Sequence, residues 1–447
     1  MKKVVIIGGN AAGMSAASQI KRQQPEWEVI VFEKRDYISY AACGIPYYIQ
    51  GLVEDLDQLI SFTPEEAVQK RKVNLKTRHK VLSIDPQLKT VSVDTPTGTS
   101  VESFDFLLIS TGARPVRTGI DYTPSERIYN AVTLGDAESI RRFIDKENPK
   151  KCAVIGGGYI AIEMIEALRE RGLETHLIHR REDLSRNLEK ELSTAAKKEM
   201  EKQGVILNLS QHVTAVKEKG GLVEVETEHD KFTYDLVIVA TGVEPESTLA
   251  KNCGIETGIK GAIRVNKLMQ TNYPYIYAAG DCTETKNIIT GEPYYVALAL
   301  KANKEGVIAG VNISGVESET FPGVLGTAIT KLFDIGLART GLTLAEADKH
   351  GYDAFKFKLS NNSKSNYYPG GGLLTAVLVA EKKEGRVLGA QMFGPVDSVK
   401  RIDVYATAIT AKMTLDQIFQ LDLSYAPPFS PVYDLVVLSG RVGRKMI

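Results

Sequence analysis

Two stretches of this chain repeat one another. "KKVVIIGGNAAGMSAASQIKR" (2–22) returns as "KKCAVIGGGYIAIEMIEALRER" (150–171). Each reads as a short apolar run, a glycine-rich turn and apolar residues at helical spacing. Each is followed by a second strand, "WEVIVFEKR" (27–35) and "ETHLIHRRE" (174–182). Further on, "FDFLLISTGARP" (104–115) pairs with "YDLVIVATGVEP" (234–245). Such an ordered repetition constrains the chain to two α/β nucleotide-binding units. At 447 residues there is room for about two to four domains.

Glycine at such a turn lets backbone N–H groups approach a pyrophosphate at a helix N-terminus. The second copy offers Gly156, Gly158 and Ala161, a G-x-G-x-x-A pattern after a strand. The first offers Gly8 and Gly13, with Asn10 in the middle-glycine position. Glu33, at the end of the second strand, is placed to accept ribose hydroxyls, although a surface carboxylate would look the same. After the corresponding strand of the second unit come His179, Arg180 and Arg181, where an NAD site usually places an acid. Two arginines suit a 2′-phosphate, so NADPH is favoured; Glu182 leaves NADH open.

Composition narrows the function classes. The chain is 43% apolar and 25% charged, as expected for a globular soluble protein. Its 55 basic and 55 acidic residues cancel, which argues against a nucleic-acid or membrane-surface partner. No run approaches the roughly 18–20 apolar residues that span a bilayer. Met1-Lys2-Lys3 imitates a secretory leader, but Gly8 and Gly9 break the apolar run that follows. The cysteines at 43, 152, 253 and 282 form neither a C-x-x-C nor a close pair, so a reducing, cytoplasmic location is expected. The scattered histidines give no metal site.

"TNYPYIYAAGDC" (271–282), the first glycine turn and the two T-G strands together resemble the flavin-binding pattern of two-dinucleotide flavoprotein reductases, over nearly the whole chain. The resemblance implies an α/β fold with two Rossmann-like, glutathione reductase-like dinucleotide-binding domains and an α+β C-terminal dimerisation domain. It implies a split FAD domain (1–112 and 246–322), an NAD(P) domain (113–245) and an interface domain (323–447). By position, Gly8, Asn10, Ala11, Gly13, Glu33, Lys34, Thr111, Gly112 and Asp281 would hold FAD, with Asp281 on the ribityl chain. Gly156, Gly158, Tyr159, Ile160, Glu163, His179, Arg180, Arg181 and Gly242 would serve the pyridine nucleotide, with Tyr159 as a gate. The interface boundary also has local support. "LLTAVLVAEKKEGRVLGAQMFG" (373–394) reads as two strands around a charged turn, and 398–412 has helical spacing.

"SYAACGIPYY" (39–48) carries Cys43, where disulfide reductases of this group begin a C-x-x-x-x-C pair; position 48 is Tyr48. An internal dithiol is therefore excluded there. A single thiol leaves a mixed disulfide with a small thiol, a sulfenic acid, or an inert buried cysteine. Gly44 and Pro46 suit a helix start, whose N–H groups are expected to lower the thiol pKa. Together with "SNYYPGG" (365–371) and "SYAPPFSP" (424–431), this segment is similar to coenzyme A-disulfide reductases and archaeal-type NAD(P)H:sulfur reductases. The resemblance implies a Cys43–S–S–CoA adduct and a homodimer with shared active sites. Tyr425 and Tyr367 of one subunit would then assist the other, with Tyr368 beside them. Ser15, Gln19, Arg22, Ser39, Ala42, Arg71, Asn303 and Tyr368 would contact CoA. Asn303 and Tyr433 replace a histidine and a lysine of some members. The alternatives are an NAD(P)H oxidase or peroxidase cycling through a Cys43 sulfenic acid, although peroxidases carry a histidine at the position of Asn10. From another class, a catalytically silent FAD-binding redox sensor also fits.

Overall fold

The computed structural model describes residues 1–116, 119–122 and 125–447. Both repeats fold as five-stranded parallel sheets. In the first, the strands run Ile276–Ala278, Phe106–Ile109, Lys3–Ile7, Glu28–Phe32 and Asn74–Lys76. In the second they run Ile128–Tyr129, Leu236–Val239, Lys151–Ile155, Glu174–Ile178 and Ile206–Asn208. The glycine-turn strands Lys3–Ile7 and Lys151–Ile155 occupy the centre of each sheet. Their near-continuous apolar character follows, since parallel strands are covered on both faces. Val4, Val5, Ile6, Cys152, Ala153 and Val154 are all fully buried.

Each turn launches a helix, Ala11–Gln23 and Tyr159–Glu170, that packs its apolar stripe back on its sheet. A sixteen-residue helix, Ala299–Ser314, lies against the first of these. Gly306 and Gly310 make that approach possible: a methyl there would fall 2.3 Å from the Ala12 carbonyl oxygen and 2.8 Å from that of Ala16. Two short antiparallel strands, Ala113–Pro115 and Val243–Pro245, pair where the chain passes between the two sheets.

The remainder forms an antiparallel sheet in the order Ala328–Leu332, Ile335–Gly341, Val387–Pro395, Leu373–Glu381, Ala354–Asn362. A 3-10 turn, Val396–Arg401, leads into the helix Ile402–Thr410, which covers one face. Buried carboxylates tie this sheet to the second unit. Glu166 accepts from the Phe333 N–H at 2.7 Å and pairs with Lys331. Glu189 accepts from the Leu344 N–H and from Lys356 Nζ.

Candidate active site

In the first turn, Gly8 has φ 105°, a left-handed conformation that suits glycine. Gly13 is forced by contact, because a methyl there would lie 1.9 Å from the Gly8 carbonyl oxygen. Glu33, 5% exposed, accepts from the Gly9 N–H at 2.8 Å and the Arg35 N–H at 3.0 Å. That grip orients its carboxylate against the turn. Ala11 opens the helix and Lys34 follows Glu33, its ammonium pKa lowered by burial and by Arg35. Thr111 donates to the Glu246 carbonyl, and the Gly112 carbonyl accepts from the Glu246 N–H at 2.9 Å.

Asn10 Oδ1 and Asp281 Oδ1 are buried without a partner among the described residues of this unit, as are the Tyr295 hydroxyl and Glu305 Oε1. Burial pushes the Asp281 carboxyl above the usual carboxylate range, while Lys301 opposes that shift. A buried acceptor of this kind calls for a donor. The ribityl hydroxyls of FAD can donate to such acceptors, and its pyrophosphate can accept from the N–H groups of the close glycine backbone.

The second turn repeats the first with other side chains. Gly156 has φ 137°, and a methyl there would lie 2.2 Å from the Ala240 carbonyl oxygen. Gly158 is the helix N-cap and faces open space, as does Gly242. The buried His179 ring sits beneath Gly157, its Nε2 unpartnered and its pKa lowered by burial and by Arg181. Arg181 donates to the Leu184 carbonyl at 3.0 Å and keeps a buried Nε without a partner; Arg180 is exposed. Arg186 belongs to the same basic group through its charge on Arg181, and sequence reading did not single it out. The Tyr159 hydroxyl is buried without a partner, and burial pushes it up to about 12. Ile160 follows it in the helix, and Glu163, one turn on, accepts from Thr330 Oγ1 at 2.8 Å.

Cys43 is exposed, within the 3-10 turn Ala42–Gly44 that runs into the helix Ile45–Gln50. Pro46 lies in the first turn of that helix, while Ile45 and Ile49 anchor it in the core. The expected helix start is present, but the expected thiol shift is reversed. Crowding by protein pushes the Cys43 pKa up, the charges of Glu163 and Asp281 add to this, and only its own N–H opposes. A six-residue helix with a 3-10 beginning has little dipole to offset two carboxylates. Tyr48, in the second-cysteine position, stacks under Arg141, with the guanidinium 4.4 Å from the ring centre. The other cysteines are inert by placement. Cys152 is fully buried and pushed up to about 12, Cys282 to about 11, and Cys253 is half-buried and raised.

Ser15, Gln19 and Arg22 share the open side of the first helix. Ser15 donates to Asn303 Oδ1 at 2.9 Å, and Arg22 bonds Gln19. Ser39 adopts φ 48° and donates its N–H to the Gly9 carbonyl. Arg71 stacks on Phe62, its guanidinium carbon 4.7 Å from the ring centre. The loops bearing Tyr367, Tyr368 and Tyr425 are brought together by a Ser365 N–H to Pro427 carbonyl bond and by Arg401, which reaches the carbonyls of Ser363 and Phe429. These tyrosines are 76%, 39% and 45% exposed. Among the described residues, no hydrogen bond or ring contact joins those loops to the Cys43 segment of the same chain.

Sequence reading also missed Lys301 and Glu305, both fully enclosed behind Asp281. Their i, i+4 spacing is visible in the sequence, but with Asn303 and Lys304 between them it does not distinguish a buried pair from a surface one.

Pyridine nucleotide-disulphide oxidoreductases match residues 2–306, and the dimerisation domain of that family matches 327–436. An NAD(P)H sulfur oxidoreductase (CoA-dependent) of Pyrococcus abyssi is 39% identical over 99% of this chain and 98% of its own length. A coenzyme A disulfide reductase of Staphylococcus epidermidis is 33% identical over 98% and 99%. The solved NAD-dependent persulfide reductase from A. fulgidus superposes with a TM-score of 0.96 at 35% identity, covering 99% of this chain and 83% of that one. This chain belongs to the pyridine nucleotide-disulphide oxidoreductase family, as an NAD(P)H-dependent oxidoreductase that carries FAD.

Proposed function

We propose that this protein reduces coenzyme A disulfide, and CoA persulfide or polysulfide, through Cys43. The carrying observation is one exposed thiol, electrostatically coupled to Glu163 of one nucleotide unit and Asp281 of the other, with Tyr48 in the position of a second thiol. The Cys43 thiolate attacks the substrate disulfide: a Cys43 Sγ–S bond forms, the substrate S–S bond breaks, and one CoA thiolate leaves and takes up a proton. Two electrons from NADPH then cleave the mixed disulfide, so that NADPH, one proton and CoA disulfide become NADP⁺ and two CoA thiols. Bound FAD supplies the transfer of those electrons from nicotinamide to sulfur.

Residues 1–112 and 246–322 form the FAD domain in this reading, 113–245 the NAD(P) domain and 323–447 the interface domain. Arg180, Arg181 and Arg186 hold the 2′-phosphate of NADPH, with NADH a weaker donor. Ser15, Gln19, Arg22, Ser39, Ala42, Asn303 and Arg71 contact CoA. A homodimer brings the exposed Tyr367 and Tyr425 of one subunit to Cys43 of the other, where a phenol protonates the leaving thiolate. Four unpaired cysteines support a cytoplasmic setting. No helix among the described residues is long and apolar enough to cross a membrane.

The test is anaerobic. NADPH bleaches the flavin, and intact mass shows a CoA adduct on Cys43 before reduction and free thiol after it. Cys43→Ser abolishes disulfide reduction but leaves bleaching intact. Mixing C43S with Y425F subunits restores activity if sites are shared. A sulfenic acid trapped by a dione, with no adduct after exposure to CoA disulfide, overturns the proposal in favour of an oxidase or peroxidase.

A further inference from the structure

Lys301 and Glu305 lie one helical turn apart on Ala299–Ser314, their side chains 1% and 0% exposed. A buried lysine is costly unless something in the fold requires its charge. Its Nζ lies 3.0 Å from Glu305 Oε2, and it donates to the Gly280 carbonyl at 2.8 Å and meets Thr283 Oγ1 at 3.1 Å. The same Glu305 oxygen accepts from the Gly280 N–H and the Thr283 hydroxyl, both at 2.9 Å. The pair thus holds both ends of the turn that carries Asp281. Gly280 itself takes φ 90° there.

We propose that Lys301 and Glu305 are positioning residues for FAD: they lock the Gly280–Thr283 turn and so keep Asp281 aimed at the bound group. The groups that act electrostatically on Asp281 or are acted on by it are Lys301 of the long helix, the Leu298 backbone at that helix's N-cap, the Cys43 thiol and Tyr295. Lys301 is the cation among them. Burial alone drives Asp281 toward its neutral form, and Lys301 opposes this. An ionised carboxylate accepts hydroxyl hydrogen bonds more strongly than a neutral one. Losing the cation therefore weakens the grip on FAD, and more so as the pH falls. The inference depends on FAD occupying the first unit and is independent of the sulfur substrate.

The experiment follows FAD release from purified holoprotein by the recovery of flavin fluorescence, between about pH 5.5 and 8. In the native protein release is slow at neutral pH and accelerates toward acid less than in the variant that lacks the cation. Lys301→Met should release FAD about tenfold faster or more at neutral pH, with a further acceleration toward acid. The double variant K301M/E305Q removes the stranded carboxylate and should recover thermal stability without recovering FAD retention. That separates positioning from folding, and the double variant carries the test if K301M alone does not fold. Native-like release and pH profile in the double variant overturn the inference, as does a K301M protein that loses only thermal stability.

Discussion

Gly8 and Gly156 occupy the same corner of two similar sheets, and each would drive a methyl into a carbonyl oxygen at the end of the neighbouring strand, 2.3 Å and 2.2 Å away. Five residues further along, the copies part. Gly13 has no room for a side chain, whereas Ala161 fits fully buried in the same place. They part again after the second strand, where the first unit buries Glu33 against Gly9 and the second places His179 under Gly157 with arginines beyond. The shared glycines answer to backbone contact and so set the fold. In the proposed reading the divergent residues lie on the ligand side of the turn and distinguish the two nucleotides.

The largest effect should come from the shared glycines, yet with different losses. Gly8→Ala combines a positive φ with the Ser110 contact, at a cost on the order of 3 kcal/mol or more. It should yield protein without flavin and with a much lower melting temperature. Gly156→Ala meets an equal clash but should keep its FAD and lose rapid bleaching by NADPH. Flavin content and stopped-flow absorbance distinguish the two. Loss of FAD in both would mean that the units do not divide the nucleotides as their side chains indicate.

A smaller effect sharpens the arginine side of the comparison. Replacing Arg180 and Arg181 by alanine should raise the KM for NADPH about tenfold or more, through lost charge-assisted phosphate contacts, and change that for NADH little. Adding Arg186→Ala should deepen the difference. An equal rise for both nucleotides would assign the arginines to general electrostatics.

Sequence periodicity and glycine spacing made both sheets and the interface strands legible, because those features follow from local pattern. At the site, the sequence singled out Cys43, Glu33 and Asp281 as candidates, and the structure places Glu33 against the Gly9 turn and leaves Asp281 Oδ1 buried without a partner. The sign of the Cys43 shift was not legible, since it depends on Glu163 and Asp281 arriving from distant parts of the chain. Lys301 and Glu305 escaped for a related reason. A Lys-x-x-x-Glu pair reads as solvated surface until packing encloses it.

The smallest prediction concerns His179, which follows its strand as Glu33 follows the matching one. Burial and the neighbouring Arg181 lower its pKa, so the folded protein holds a neutral ring where the unfolded chain would take a proton. The Asp183 backbone contact favours protonation, Arg180 opposes it, and the Leu184 backbone contact favours it least. The unfolded state therefore binds more protons below about pH 6.5, and this contribution is present above that value and lost as pH falls toward the folded pKa. Thermal melts of His179→Gln against the native protein, between about pH 5.5 and 7.5, should show the native protein losing more stability on the acid side. If His179→Gln and the native protein decline in parallel, the ring is not held neutral by its burial, and the asymmetry between the two turns is one of ligand charge alone.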